Sequence, residues 1–240
     1  MARPKRLAVL AALLILAAIA GPAQTRMNPS SVLRISKVDR DLSVSDPDDP
    51  SWRKADAVTI ETYWSGEKAP KGRRFSARLL WSDMALHVRF EAAQEEPLVV
   101  TDKPDVTTKT LGLWDRDVAE IFIAPDRSTP NKYFEFEVAP TGEWVDLAIE
   151  ITPQGRVTDR NYVSKMGAAA RIEKERVLMA IKIPFASLGR TPKAGDVWLG
   201  NLFRCVGKDP GRGYLAWQPT KTRNPNFHVP EAFGEFHFVK

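Results

Sequence analysis

From Trp114 to Glu150 the chain alternates apolar and polar residues with a period of two, and that alternation restricts the fold more than any other feature. The segment reads as three successive strands, interrupted by loop signals at Pro125-Asp126 and Pro140-Thr141-Gly142. In the second strand Phe134, Phe136 and Val138 point one way while Tyr133, Glu135 and Glu137 point the other. In the third, Val145, Leu147 and Ile149 alternate with Trp144, Asp146 and Glu150. A period of two predicts antiparallel strands with one face on a core and the other toward water.

The same pattern recurs along the chain. Val58 to Tyr63 is an expected strand, Phe75–Trp81 and Leu86–Ala92 form a hairpin about Ser82-Asp83-Met84-Ala85, and Val177–Ile183 ends at Pro184. Asp196–Val206, Tyr214–Gln218 and Phe236–Lys240 complete the set, while 95–112 and 219–233 read as irregular tracts. About ten short strands with regular turn signals and no helical period define an all-β, single-domain antiparallel β-sandwich over residues 51–240. Residues 24–50, polar and ending in Asp-Pro-Asp-Asp-Pro, are expected to be an irregular lead-in.

The first 23 residues are expected to be a signal peptide. Arg3, Lys5 and Arg6 precede an apolar run from Leu7 to Ala20, with small residues following. The run is shorter than the roughly 20 residues that a membrane span requires, so no membrane span is expected after cleavage. The protein is expected in the periplasm or secreted. Those three basic residues supply three of the five net positive charges, which leaves the remainder near neutral and unlike a nucleic-acid binder. Cys205 is the only cysteine. An intramolecular disulfide is therefore excluded, and a buried inert thiol is expected.

Nucleophile-elbow, phosphate-loop and H-E-x-x-H patterns are missing from the sequence. Glu135 and Glu137 share a strand face about 7 Å apart, a spacing that paired glycosidase carboxylates could use. Glu120 alternates with Val118 and Phe122, so it shares an apolar face and needs a partner, for which Arg78 and Arg204 are candidates. Either an ion pair or a polar anchor for a sugar hydroxyl would satisfy it. Most of the seven tryptophans are expected in the core, but Trp114 and Trp217 stand at loop–strand junctions beside polar residues. An indole placed there can stack on a pyranose ring while its neighbours meet the hydroxyls.

L-W-D-R-D-V-A-E-I-F-I-A-P-D followed by Y-F-E-F-E-V-A-P-T-G-E-W-V-D-L resembles the family 9 carbohydrate-binding modules, within a DOMON-like β-sandwich superfamily. The hairpin R-L-L-W-S-D-M-A-L-H-V-R-F, the strand G-N-L-F-R and the ending A-W-Q-P-T…F-H-V-P-E-A-F-G carry the same resemblance, in order from Trp52 to the C-terminus. It implies a jelly-roll-like sandwich that binds mono- or oligosaccharide, often at a polysaccharide chain end, between two tryptophans and without turnover. Carried over, Trp114 and Trp217 form the stack, and Glu120, Asn201 and Arg204 contact hydroxyls. Gln218 joins them on position alone. Asn201 and Arg204 point to opposite faces of an unbroken strand, so both reach one pocket only across a bulge. No cofactor is implied beyond a structural calcium, for which Asp115 and Asp117 could serve or could simply fix their loop. Two other readings stay open: a haem-binding domain of the same superfamily, with Met84 and His87 the residues to weigh as ligands, and a glycoside hydrolase using Glu135 and Glu137.

Overall fold

The computed structural model describes Met1 and residues 31–240; the expected signal peptide lies outside the described residues. Thirteen strands are present among them: Val32–Lys37 (β1), Ala57–Ile60 (β2), Phe75–Trp81 (β3), Ala85–Ala93 (β4), Val118–Ala124 (β5), Lys132–Val138 (β6) and Trp144–Thr152 (β7), followed by Gly155–Asp159 (β8), Gly167–Ile172 (β9), Arg176–Pro184 (β10), Val197–Val206 (β11), Gly213–Ala216 (β12) and Gly234–Val239 (β13). They hydrogen-bond in the order β8-β7-β6-β5-β11-β13-β1-β3-β4-β10-β9, with β12 attached to β11 and β2 to β3.

The sheet curls so that its two halves face each other across one core. Leu79, Val88, Phe90, Met179 and Ile181 from one half meet Ile121, Phe136, Val138 and Leu202 from the other. Trp198, Phe185 and Phe238 pack edge-on at the centre, with Trp198 and Phe238 ring centroids 4.7 Å apart. The expected β-sandwich is therefore present, closed through the strand that the sequence reading missed. β1 lies in the segment expected to be irregular, yet it joins β13 to β3 and buries Leu33 and Ile35. Both of its pairings are parallel, which makes an otherwise antiparallel sheet mixed. Its apolar alternation spans only Leu33 and Ile35 between polar flanks, too short to register as a strand signal. Strands β8 and β9 were also unanticipated; they are the two ends of the path and carry few buried side chains.

A second apolar layer covers the outer face of β5, β6 and β11, which includes the β6 face of Tyr133, Glu135 and Glu137 expected to be wet. The tract from 219 to 233 crosses it and inserts Phe227 and Phe233. Phe227 stacks on Phe203 with ring centroids 4.1 Å apart, and Phe233 meets Tyr133 edge-on at 5.2 Å. Such contacts add about 0.5–1.5 kcal/mol each beyond the area they bury. Consequently Tyr133, Glu135 and Glu137 are nearly inaccessible, with exposures of 1, 3 and 0 %.

Candidate functional site

A cavity of about 360 Å³ opens where the outer layer ends, within the usual size range of small-molecule sites. Trp114 and Tyr214 supply aromatic surface, Glu120 and Glu135 carboxyl groups, and Arg156, Arg160 and Arg212 guanidinium groups; Asn226 and His228 come from the crossing tract.

Local sequence explains how Trp114 is held. Gly112 adopts φ +83°, a conformation glycine tolerates at no steric cost, and starts a single 3₁₀ turn over Leu113–Asp115. Leu113 anchors that turn in the outer apolar layer, leaving Trp114 half-buried at the cavity wall. Arg212 donates to the carbonyls of Trp114, Asp115 and Arg116, so one guanidinium fixes the whole turn. The same guanidinium lies 5.4 Å from the centroid of the Tyr214 ring. Tyr214 in turn meets Trp64 edge-on at 5.9 Å, and the Trp64 indole N–H donates to the Thr222 carbonyl. The aromatic wall is thus braced against the tract that crosses the face.

Glu120 on β5 stands directly opposite Glu137 on β6, and Glu135 follows two residues along on the same face. One oxygen from each of the three lies within 4.8 Å of the others. Burial is the main reason all three are held more weakly acidic than usual, with mutual repulsion adding to it for Glu120 and Glu137; Glu120 is pushed up to about 8. The neighbouring Cys205 thiol donates to Glu120 over 3.4 Å and is itself pushed well above its ordinary value by burial. His228 accepts or donates across 2.9 Å to the Tyr133 hydroxyl, and its Nε2 is 4.0 Å from Glu135. Burial lowers the His228 pKa to about 3, so this imidazole is neutral and supplies no counter-charge.

Of the six residues expected to bind ligand, Trp114 and Glu120 line this cavity, and the other four do not. Trp217 follows β12, in which Tyr214 and Ala216 face the outer layer; period two therefore turns Trp217 to the inner core. There it stacks on Phe236 at 5.8 Å and borders a separate hollow beside β1 and β2. Pairing between β11 and β5 runs without a bulge, so Asn201 and Arg204 do point to opposite faces. Asn201 is fully buried; its side-chain oxygen accepts from the Leu202 and Gln218 amides and its amide donates to the Gln218 carbonyl, clamping that loop. Arg204 enters the inner side and donates to the carbonyls of Arg73, Arg74 and Ala93 and to Gln94 Oε1. Neither arginine expected to partner Glu120 does so, because Arg78 donates to the Ala55 carbonyl. Asp117 accepts from the Val99 and Gly207 amides, which is loop fixing.

Tyr214, Arg156, Arg160, Arg212 and His228 were not anticipated. Arg212 and Tyr214 did carry a signal, two residues apart and hence on one strand face. Phe227 and Phe233 in an otherwise polar tract were the signal that the face beneath is covered. For the haem reading, Met84 is 67 % exposed at its turn whereas the His87 side chain is buried, 3.4 Å from the Ser82 hydroxyl and 3.7 Å from Asp41. For the glycosidase reading, Glu137 is fully buried and does not line the cavity that Glu135 borders, so the pair does not face one ligand space together.

Known proteins carry the same architecture. A candidate carbohydrate-binding protein from Bacteroides uniformis superposes with a TM-score of 0.69 at 16% identity, over 86% of this chain and 98% of that one. A family 9 carbohydrate-binding module from Caldicellulosiruptor kristjanssonii is similar in its complex with cellotriose (TM-score 0.62, 14% identity, 87% and 93% covered). Its complex with glucose gives a TM-score of 0.61 at 15% identity, over 85% and 95%. No curated protein matches the chain. The family described as "Carbohydrate family 9 binding domain-like" matches residues 46–240, most of the chain and nearly all of its sheet. The chain therefore belongs to the family 9 carbohydrate-binding-domain-like proteins.

Proposed function

We propose that this protein is an exported, non-catalytic binder of carbohydrate that takes a sugar ring into the cavity bordered by Trp114 and Tyr214. One observation carries the reading: two aromatic side chains, carboxyl groups and guanidinium groups converge on one cavity of a family 9 fold. Aromatic rings cover the apolar face of a pyranose, and charged donors and acceptors meet its hydroxyls. The cellotriose and glucose complexes of the structural neighbour support a glucose-type ligand as the first to test. The pairing of Trp114 with Trp217 is not supported by the geometry, and Tyr214 is the partner this reading puts in its place. Export rests on the N-terminal basic and apolar pattern.

Calorimetric titration with glucose, cello-oligosaccharides and their end-reduced forms tests the binding. Trp114→Ala and Tyr214→Ala should each weaken it by about 2 kcal/mol, as loss of a buried aromatic contact does. Absence of binding across a broad sugar panel would refute the function, whereas unchanged affinity in both variants would refute the site. N-terminal sequencing of the exported protein should begin near residue 24.

A further inference from the structure

Strand β8 rims the cavity, and its period of two divides its side chains. Arg156 and Thr158 turn toward the cavity, as does Arg160 in the turn that follows, whereas Val157 and Asp159 turn away and border a separate groove beside Phe134. That turn is pinned in place. Asp159 Oδ1 accepts from the Asn161 amide at 2.9 Å, and Lys109, paired with the buried Asp146 carboxylate, donates to the Arg160 carbonyl at 3.3 Å. Both arginine side chains are exposed, and among the described residues neither has an ion pair or a side-chain hydrogen bond. Charge on an edge strand deters pairing with another edge, but that role asks for no particular face. Here both guanidinium groups take the face of the cavity. The aspartates of the lining stand elsewhere: Asp209 and Asp115 add to burial in raising the Tyr214 hydroxyl, while Arg156 adds to burial in lowering His228. Burial also holds the Glu120 and Glu135 carboxyls more weakly acidic than usual, which takes negative charge away from the lining. The β8 side of the cavity is therefore positive, with no carboxylate paired to it.

We propose, resting on the carbohydrate reading of this cavity, that the ring it takes is acidic: a pyranose whose anionic substituent is met by Arg156 and Arg160. A uronate carboxylate is planar and accepts two parallel hydrogen bonds from a guanidinium fork, and a phosphate ester offers the same charge and acceptors. Arg212 adds positive charge but no free fork, because it donates to three main-chain carbonyls. The ring lies against the aromatic wall of Trp114 and Tyr214 while its anionic substituent points to β8. A neutral sugar leaves both guanidinium groups to water and gains nothing from their charge.

Purified full chain is titrated calorimetrically with glucose, glucuronate, the methyl ester of glucuronate and a phosphorylated glucose. Glucuronate should bind about tenfold tighter than glucose, the worth of one charge-assisted hydrogen bond. The uncharged methyl ester should fall back to the affinity of glucose. Phosphorylated glucose binding tighter still would assign the anion to an ester rather than a carboxylate. At about 1 M NaCl, where the screening length is about 3 Å, most of the preference should vanish. Arg156→Gln and Arg160→Gln should each lower glucuronate affinity several-fold more than glucose affinity. Both side chains are exposed, so these variants should melt with the parent. Trp114→Ala should weaken both sugars alike. If glucose binds and glucuronate binds no tighter, the acidic assignment falls and the carbohydrate reading stands. If no sugar of either kind binds, both fall together. A preference for glucuronate that survives in both arginine variants would overturn the proposal, as would inorganic phosphate binding as tightly as the phosphorylated sugar.

Discussion

Arg204→Met should separate stability from sugar binding. The guanidinium is 3 % exposed and donates to three main-chain carbonyls and one side-chain carbonyl, joining β11 to the ends of β3 and β4. Methionine preserves much of the volume but none of the donors. The Arg74 carbonyl keeps the Ala93 amide as a donor, so the acceptors most affected are those of Arg73, Ala93 and Gln94. At about 1–3 kcal/mol per unsatisfied buried acceptor the gross loss is about 3–9 kcal/mol. Removing a buried charge returns part of this, because burial holds the Arg204 pKa down at about 10. A net destabilisation of about 3 kcal/mol is expected, or roughly 6–12 °C in melting temperature for a domain of this size. Urea denaturation measures the first quantity and a thermal melt the second. Arg204→Lys should recover little, since one ammonium cannot reproduce the planar fork. Glucose-type ligands should bind the folded variant as they bind the parent. A loss below 1 kcal/mol would refute the hydrogen-bond accounting. A loss of sugar affinity in fully folded protein would place Arg204 in the ligand site.

Trp217→Ala should cost about 3–5 kcal/mol of stability by leaving a cavity against Phe236, without changing sugar affinity, which calorimetry at low temperature would check. Gly200→Ala should destabilise by at least 1–3 kcal/mol in denaturant melts, because a Cβ there falls 2.3 Å from the Phe236 ring and 2.4 Å from the Phe122 carbonyl. Stability should fall as pH rises from about 6.5 to 8, read in denaturant melts. Burial, with Glu135 beside it, holds the folded Glu120 carboxyl well above its ordinary value, pushed up to about 8, so the native state binds the extra proton and stability is lost as pH rises through that range. Glu120→Gln should flatten that slope. Below pH 6.5 the trend is opposed by His87 and His228, whose folded pKa values of about 4 and 3 lie under 6.5, so their contribution is lost as pH falls.

Much of the sheet was legible because its strands carry local signals. Phe75–Trp81 was read with the bounds it has, and β4, β5, β6, β7, β10 and β11 were each found within a few residues. β1 was missed because two apolar residues between polar flanks give no period, and its burial comes from β13 and β3, far along the chain. Two of the six expected ligand residues line the cavity. Trp114 and Glu120 sit six residues apart on one turn-and-strand unit, so their relation is local. Trp217 packs in the inner core instead, since a junction tryptophan can face either side and only the register of β12 against β11 decides which.

The alternation of residues along the chain determined that this protein is a β-sandwich and which side chains share a face, since the strand period is a property of the backbone itself. The sequence could not show which faces are dry. Whether Glu135 and Glu137 meet water depends on Phe227 and Phe233, some ninety residues further along, folding back over them. That closure turns an apparently solvated row of carboxylates into a buried cluster beside a cavity. Burial is a property of the assembled layers, so only the tertiary structure decides it.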